Sequence, residues 1–308
     1  MRSIPEPQQT PDGPAYEGRL LVRADDEVVD QGVGFDLRTL VSRRGALSLI
    51  GLGLGAGAVA LAACTPQSTA SPTATSGAGT SAGEIPDETA GPYPGDGSNG
   101  PDVLEESGIV RSDIRSSLDG SVIAAGVPMT LTLTVLDMQN DDAPFPDVAV
   151  YVWHCDKDGG YSMYSQGLED VTYLRGVQVA DGSGAVTFTS IFPACYSGRW
   201  PHIHFEVYPT QADIDDSANA IATSQVALPQ DVCDTVYALA DYAGSAANLS
   251  QVTLATDNVF GDDGGASQLG TVTGDATSGY QVALTVRVDT ATVPSGGSVP
   301  SGGMPGGG

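Results

Sequence analysis

Two histidines and a tyrosine are spaced so that they could bind one metal ion. Residues 194–206 read A-C-Y-S-G-R-W-P-H-I-H-F-E, and the 308 residues contain only three histidines. In an extended strand His202 and His204 project from the same face, about 7 Å apart along the chain. Such a pair can converge on a metal, but an isolated H-x-H is also typical of two solvent-facing strand residues. The nearby Tyr196 and Arg199 favour the metal site.

A second tyrosine, Tyr161, closes the turn in the stretch W-H-C-D-K-D-G-G-Y-S. Phenolate oxygen is a hard, anionic ligand that suits a trivalent ion such as Fe(III) better than a thiolate does. A phenol with a pKa of about 10 loses its proton at neutral pH only beside a strong cation. A copper or zinc site made of His202, His204 and a cysteine is the alternative metal centre.

Several motifs in this order resemble the intradiol ring-cleaving dioxygenases, which contain non-haem Fe(III). They are E-T-A-G-P-Y at 88–93, G-I-V-R-S-D-I-R at 108–115, W-H-C-D-K-D-G-G-Y-S at 153–162, L-R-G-V-Q at 174–178 and C-Y-S-G-R-W-P-H-I-H-F-E at 195–206. The resemblance covers most of residues 84–228. It implies an oxidoreductase that inserts both atoms of O₂ into a catechol-type substrate and yields a muconate-type dicarboxylate.

The resemblance also implies a role for each site residue. Tyr161, Tyr196, His202 and His204 would bind the iron, and Tyr196 would leave it when substrate arrives and act as a base. Arg199 would stabilise negative charge on the ring. Gln225, in T-S-Q-V-A-L, matches the family's glutamine more loosely, because an insertion-prone loop precedes it.

A second hypothesis is a protein without catalytic activity. A tethered β-sandwich could bind an aromatic compound, a glycan or a metal without turnover, since a fold does not dictate a function. The presence of all four ligands together with Arg199 favours the enzyme. The sequence predicts neither the particular catechol nor the oligomeric state.

The charge of the chain excludes two classes of partner. Lys and Arg number 12 against 38 Asp and Glu, which gives a net charge of −26 and a pI of about 4.1. Such a surface repels nucleic acid and anionic lipid. We therefore expect small-molecule substrates, and contact with a membrane only through a covalent lipid.

The N-terminal region resembles an export signal. Arg43-Arg44 precedes an uncharged run over residues 46–63, and Leu-Ala-Ala directly precedes Cys64. A twin arginine, an apolar segment and small residues before a cysteine are typical of twin-arginine export followed by lipidation of that cysteine. The alternative is an uncleaved transmembrane anchor, since about 18 apolar residues just span a bilayer. About 40 residues before the arginines are unusual for such a signal and indicate either a start assigned too far upstream or a cytoplasmic extension.

The pattern of composition divides the chain into four parts. Residues 1–63 form the extension and signal, 64–83 a Ser/Thr/Ala/Gly-rich linker, 84–293 one domain, and 294–308 a glycine-rich tail. We expect the signal, linker and tail to be disordered. Alternating apolar residues predict strands in the domain, which are 127–137, 147–154, 174–180, 185–191, 200–208, 222–228 and 280–289. One helix is predicted after Pro229, so the fold class is an all-β sandwich with one or two short helices.

Three cysteines remain after Cys64. In an exported protein Cys155, Cys195 and Cys233 could form one disulfide and leave one thiol, and the sequence does not choose among the three pairings. We expect a structural bridge or buried thiols rather than metal ligands. His154 is expected to pack behind the site, and Tyr164 and Tyr173 to pack within the sandwich.

Overall fold

The structure is a computed structural model that describes residues 83–294 and three short strands near the N-terminus. These strands, β1 (Gln8–Thr10), β2 (Gly13–Tyr16) and β3 (Arg19–Leu20), form an antiparallel sheet that the sequence pattern does not predict. The predicted export signal, nearly all of the linker and the tail from residue 295 lie outside the described residues. Their boundaries remain predictions.

Residues 83–294 form a β-sandwich with two short helices, as the sequence predicts. Their strands are β4 (Pro128–Asp137), β5 (Ala143–Pro144), β6 (Ala149–Trp153), β7 (Arg175–Val179), β8 (Ala185–Ile191), β9 (His202–Tyr208), β10 (Ala222–Ala227), β11 (Thr271–Asp275) and β12 (Gly279–Val288). The helices are α1 (Gln230–Tyr237) and α2 (Ser245–Leu249). Short 3₁₀ turns occur at Met138–Asn140, Gln211–Asp213, Ser217–Asn219, Ala240–Tyr242 and Leu254–Thr256.

All seven predicted strands are present, with ends displaced by at most two residues. β11 was not predicted, because its residues are largely exposed and show no apolar alternation. The predicted strand at residue 200 begins instead at His202, since Pro201 has no N–H to donate to a neighbouring strand.

Two sheets make up the sandwich. The first has the order β10-β9-β6-β7 with every pair antiparallel. In the second, β12 pairs with β11 and, in parallel, with β4, while β5 and β8 pair with the other edge of β4. Alternate residues of both sheets bury a shared apolar core. It includes Leu131, Leu133, Val152, Phe188, Ile203, Phe205, Val207 and Val286.

The outer face of the first sheet is also buried. A second apolar cluster covers it, and it includes Val103, Leu104, Ile109, Ala149, Tyr151, Trp153 and Tyr208. The segment before these residues, 84–96, crosses β10 and β9 and is called the N-terminal strap below. Its backbone N–H at Glu88 donates to the carbonyl of Thr223 at 2.7 Å. Because both faces are covered, every residue of β9 is buried.

Within the part of the chain that the structure describes, neither helix has the length and hydropathy needed to cross a bilayer.

Candidate metal centre

Four side chains bring their donor atoms together on the outer face of the first sheet: Tyr161, Tyr196, His202 and His204. The two phenol oxygens are 3.5 Å apart, the Tyr196 oxygen is 3.1 Å from Nε2 of His202, and the two Nε2 atoms are 3.1 Å apart. Donor atoms bound to one metal ion at about 2.0–2.2 Å lie about 3.0–3.5 Å from each other. The spacing of the four predicted ligands therefore fits a single ion.

The pleat of β9 and the pairing of the first sheet position the two histidines. Both lie on the outer face because strand side chains alternate, whereas Ile203 between them enters the core. His204 is paired across the ladder with Trp153 on β6 and with Gln225 on β10. The Trp153 ring stacks on the His204 ring, with centroids 4.8 Å apart and planes at 7°. This stack fixes the orientation of the His204 ring.

Hydrogen bonding selects the tautomer of His202. Its Nδ1 donates to the carbonyl of Trp200, which leaves a lone pair on Nε2 directed at the other donors. An acceptor behind the ring is the usual companion of a metal-binding histidine. His204 departs from this pattern, because its buried Nδ1 has no hydrogen-bond partner. The orientation of the His204 ring is instead set by stacking on Trp153.

A turn built on Asp156 holds Tyr161. The carboxylate of Asp156 accepts from the N–H groups of Asp158 and Gly160, both at 2.9 Å, and from the Tyr173 hydroxyl at 2.8 Å. Gly159 has a φ of +91°, and a Cβ there would lie 3.3 Å from Cβ of Tyr196. A glycine is therefore needed where this turn meets the second tyrosine.

The loop carrying Tyr196 is tied to α2. The N–H of Cys195 donates to Ser245 Oγ at 3.1 Å, and Asn248 Nδ2 donates to the Cys195 carbonyl at 2.8 Å. Tyr196 keeps intermediate exposure, whereas Tyr161 and His202 are each 2 % exposed. Tyr196 is therefore the least buried of the four donor residues.

Burial keeps all four donor side chains neutral in the absence of a cation. Desolvation raises the pKa of Tyr161 well above its ordinary value and that of Tyr196 to about 12. It also holds the pKa values of His202 and His204 well below their usual range, so their lone pairs are available. Only a strongly charged cation would convert two such phenols to phenolates at neutral pH, so the donor set fits a hard trivalent ion.

The alternative copper or zinc site finds no support in the geometry. Among the described residues, no group of three or more His, Cys, Asp and Glu side chains is arranged to hold a metal. Cys155, Cys195 and Cys233 are buried free thiols. Burial raises the pKa of Cys195 to about 12, so its thiol stays protonated.

Arg199 is fixed beside the cluster by two residues. Its Nε donates to Asp257 Oδ2 at 2.9 Å, and its Nη2 donates to Gln225 Oε1 at 2.7 Å. Gln225 in turn donates from Nε2 to the Thr89 carbonyl of the strap at 3.0 Å. The structure thus brings the predicted Arg199 and Gln225 into contact. Asp257 is a site residue that sequence reasoning missed.

Asp257 had no local signal in the sequence. It lies 58 residues after Arg199, in a loop with no recognised motif. Its carboxylate also accepts from the backbone N–H groups of Trp200 at 2.7 Å, Val259 at 2.8 Å and Phe260 at 3.1 Å. Opposite charge and these bonds make it a rigid counterion for Arg199.

The N-terminal strap packs directly on the donor cluster. The Tyr93 ring lies 5.0 Å from the Tyr161 ring, and a Cβ on Gly91 would lie 3.3 Å from Cε1 of His204. Arg175, 1 % exposed, holds the strap through donation to the carbonyls of Pro94 at 2.6 Å and Tyr93 at 2.9 Å. The sequence did not assign this role to Arg175.

The remaining residues near the motifs pack around the cluster. His154 is buried, with Nδ1 2.7 Å from the Cys155 carbonyl and Nε2 2.7 Å from Ser190 Oγ, and burial lowers its pKa to about 4. It therefore stands outside the donor set. The Tyr164 ring lies 5.3 Å from Tyr93 at the strap.

Residues 99–212 match the family model Dioxygenase_C, described as dioxygenase. The matched range contains the four clustered donors and Arg199, but Gln225 and Asp257 lie beyond it. The match confirms the resemblance to dioxygenases that the motifs indicate. A search of curated proteins found no match.

Two solved structures share the fold. One is an intradiol ring-cleavage dioxygenase from Tetranychus urticae, 22 % identical, with a TM-score of 0.51. The other is the dioxygenase Tetur07g02040, 22 % identical, with a TM-score of 0.53. Each comparison covers 67 % of this chain and 94 % of the other chain. Because the identity is 22 %, these two structures support the fold of this chain and not its function.

Proposed function

We propose that this protein is an Fe(III)-dependent intradiol dioxygenase that cleaves a catechol-type ring between its two hydroxylated carbons. One observation carries the proposal: two phenols and two neutral imidazoles converge within 3.1–3.5 Å beside a buried arginine. In the overall reaction both atoms of O₂ enter the catechol, one carbon–carbon bond breaks, and a dicarboxylate forms without an external reductant.

The iron would be held by Tyr161, Tyr196, His202 and His204. Two phenolates against three positive charges leave a net charge of +1, and the anionic oxygens stabilise the ferric state. When bound, Fe(III) would draw electron density from a catecholate and make its ring open to attack by O₂.

The side chains of this chain have distinct tasks in that reaction. Tyr196 is the less buried of the two tyrosines and would take a proton from a catechol hydroxyl. Tyr161 and the two histidines are fixed by the Asp156 turn and by β9, so they hold their positions meanwhile. The guanidinium of Arg199 would stabilise negative charge that develops on the ring.

Replacing Tyr161 tests the proposal. Phenolate-to-iron charge transfer should colour the iron-loaded protein. Tyr161→Phe, which leaves Tyr196 as the single phenol, should weaken and shift that absorption and lower catechol-dependent O₂ uptake at least about 100-fold. Visible spectra, iron analysis and an oxygen electrode measure these effects.

Tyr280→Phe is the matched control, because Tyr280 lies on β12 in the second sheet and outside the donor set. This variant should keep its colour and most of its activity. A colourless iron-loaded wild type, or a Tyr161→Phe variant with the wild-type spectrum, would contradict the proposed centre and favour a binding protein.

We also propose that the protein is exported by the twin-arginine route and tethered by a lipid on Cys64. The support is the sequence of residues 42–64, which lie outside the described residues. Twin-arginine export carries folded proteins, so iron could enter before translocation.

Replacement of Arg43-Arg44 by two lysines should retain the protein in the cytoplasm, and Cys64→Ser should release it from the membrane fraction. Cell fractionation and immunoblotting distinguish these outcomes.

A further inference from the structure

Positive charge is scarce around the candidate centre. Residues 83–294 contain six Lys and Arg side chains against 30 Asp and Glu, a net charge of −24. Each of the six has a hydrogen-bonded or ion-paired partner within the protein. They are Arg111, Arg115, Lys157, Arg175, Arg199 and Arg287.

Arg175 has no N–H left for a substrate. Its Nε donates to Ser162 Oγ at 2.9 Å, and Nη1 donates to the Pro94 carbonyl at 2.6 Å and the Tyr151 hydroxyl at 3.0 Å. Nη2 donates to the carbonyls of Tyr93 and Ser162, both at 2.9 Å. These bonds use all five donors of a guanidinium.

The other two arginines with little exposure, Arg111 and Arg199, also have partners within the protein. Arg111 donates to the carbonyls of Ser116, Thr172 and Arg175. Arg199 is neutralised by Asp257 at 2.9 Å, and its proposed task lies at the reacting carbons rather than at a ring substituent. Nε and both Nη atoms of Arg111 therefore point to backbone carbonyls, and the charge of Arg199 is paired with a carboxylate.

The three more exposed cations each contact an aspartate. The N···O distances are 2.6 Å for Arg115 and Asp113, 2.8 Å for Lys157 and Asp158, and 2.7 Å for Arg287 and Asp142. Of these three cations, Lys157 lies in the same turn as the donor Tyr161, four residues before it. The three histidines are buried: His202 and His204 belong to the donor set, and His154 contacts the Cys155 carbonyl and Ser190 Oγ.

From this distribution, and resting on the proposed function, we infer that the site selects catechols whose ring substituent is uncharged or cationic and discriminates against those bearing a carboxylate. Bringing a carboxylate to a site where residues 83–294 offer no cation free of hydrogen-bonded or ion-paired partners leaves its charge without a direct ion pair. The surrounding net negative charge also slows its approach and favours that of a cation.

Three catechols with two-carbon substituents at the same ring position test this inference. They are 3,4-dihydroxyphenylacetate, 4-(2-hydroxyethyl)catechol and 4-(2-aminoethyl)catechol, with charges of about −1, 0 and +1 at neutral pH. The saturated carbon next to the ring keeps the electronic differences at the ring small. With the full-length, iron-loaded protein, kcat/KM for the neutral and cationic compounds should exceed that for the carboxylate at least about tenfold at low salt.

Ionic strength separates electrostatics from intrinsic reactivity. As salt rises from about 0.01 to 0.5 M, kcat/KM should fall for the cationic compound, rise for the carboxylate and stay constant for the neutral one. The reason is that added salt shortens the Debye length and screens the charge of the protein. Preference for the carboxylate, or a carboxylate rate that falls with salt, would overturn the inference.

Lys157→Gln is the critical variant, since it removes the cation that lies in the same turn as Tyr161. The order of the three compounds should be unchanged in this variant. A selective loss of activity on the carboxylate would show that Lys157 recognises it and would overturn the inference.

An anaerobic titration keeps this result distinct from the proposed activity. Shifts of the visible band report binding of the same three compounds without turnover. Absent O₂ uptake with the expected order of binding would leave the charge preference standing and refute the dioxygenase, whereas binding tightest to the carboxylate would refute the charge preference alone.

Discussion

At the scale of single residues, the orientation of Arg199 depends on Asp257. Arginine is long and flexible, so a guanidinium that must face a reacting ring needs a partner to fix it. Asp257 is fully buried and is itself fixed by three backbone N–H groups. We therefore regard Asp257 as a positioning residue that acts through Arg199.

Asp257→Asn should lower the free energy of unfolding by about 3 kcal/mol, because it leaves a buried guanidinium without its counterion. It should also lower kcat more than it raises KM, since Arg199 acts on charge that develops during the reaction. Chemical denaturation and steady-state O₂ uptake measure the two effects, with the exposed Asp241→Asn as control.

A double-mutant cycle separates positioning from a general loss of stability. If Asp257 acts through Arg199, Asp257→Asn should lower kcat/KM no further in an Arg199→Gln background. Full additivity of the two losses would refute the positioning role.

At the scale of elements, the N-terminal strap completes the centre. It spans two strands of the first sheet, contributes the Thr89 carbonyl to Gln225, and places Gly91 against His204. Arg175 anchors its far end. Since His204 lacks a hydrogen bond at Nδ1, contact with Trp153 and the strap holds its ring.

Gly91→Ala tests the strap. Gly91 has a φ of +75°, and a new Cβ would meet His204 Cε1 at 3.3 Å, so both backbone strain and a tight contact arise. We expect a loss of about 1–2 kcal/mol in stability and weaker retention of iron, measured by denaturation and by competition with a chelator.

Gly120→Ala is the matched control. Gly120 has nearly the same φ, +72°, but nothing within 4 Å of the position of a new Cβ. Its loss of stability should be similar while iron retention stays at the wild-type level. Equal iron loss in both variants would show that the contact between Gly91 and His204 has no part in metal binding.

At the scale of the whole molecule, buried carboxyls make stability depend on pH. Burial, with Asp262 nearby, raises the pKa of Glu88 from 4.5 to about 8, and burial raises that of Glu206 to about 8 as well. Between pH 4.5 and 8 these two carboxyls therefore bind more protons in the folded state than in the unfolded chain. Their contribution to stability falls as pH rises through this window, while the three buried histidines, whose pKa values are lowered, act in the opposite direction below about pH 6.5.

Glu88→Gln should reduce that fall, because the amide keeps the size of the side chain without a charge to bury. We expect the variant to be more stable than the wild type at pH 8 by on the order of 1–3 kcal/mol, and the two to converge near pH 4.5. Urea denaturation at several pH values measures the difference. Glu105→Gln on the exposed surface should leave the pH slope unchanged, and a wild-type slope in Glu88→Gln would contradict the raised pKa.

Local patterns in the sequence determined the strands and half of the donor set. Alternation of apolar residues predicted seven strands within two residues, and the H-x-H spacing placed His202 and His204 on one face. These predictions hold because backbone geometry alone fixes the direction of successive side chains. The motifs around Tyr161 and Tyr196 supplied the other two donors by resemblance.

Only the tertiary structure decided what surrounds those donors. Strand pairing aligns Gln225, His204 and Trp153 in one row, the loop at Asp257 reaches Arg199, and the strap crosses the first sheet. These contacts join segments that lie tens of residues apart, and their pairing depends on how two sheets pack and not on any local period. The sequence therefore determined which side chains could bind a metal, and the packing of the sandwich determined how they are held.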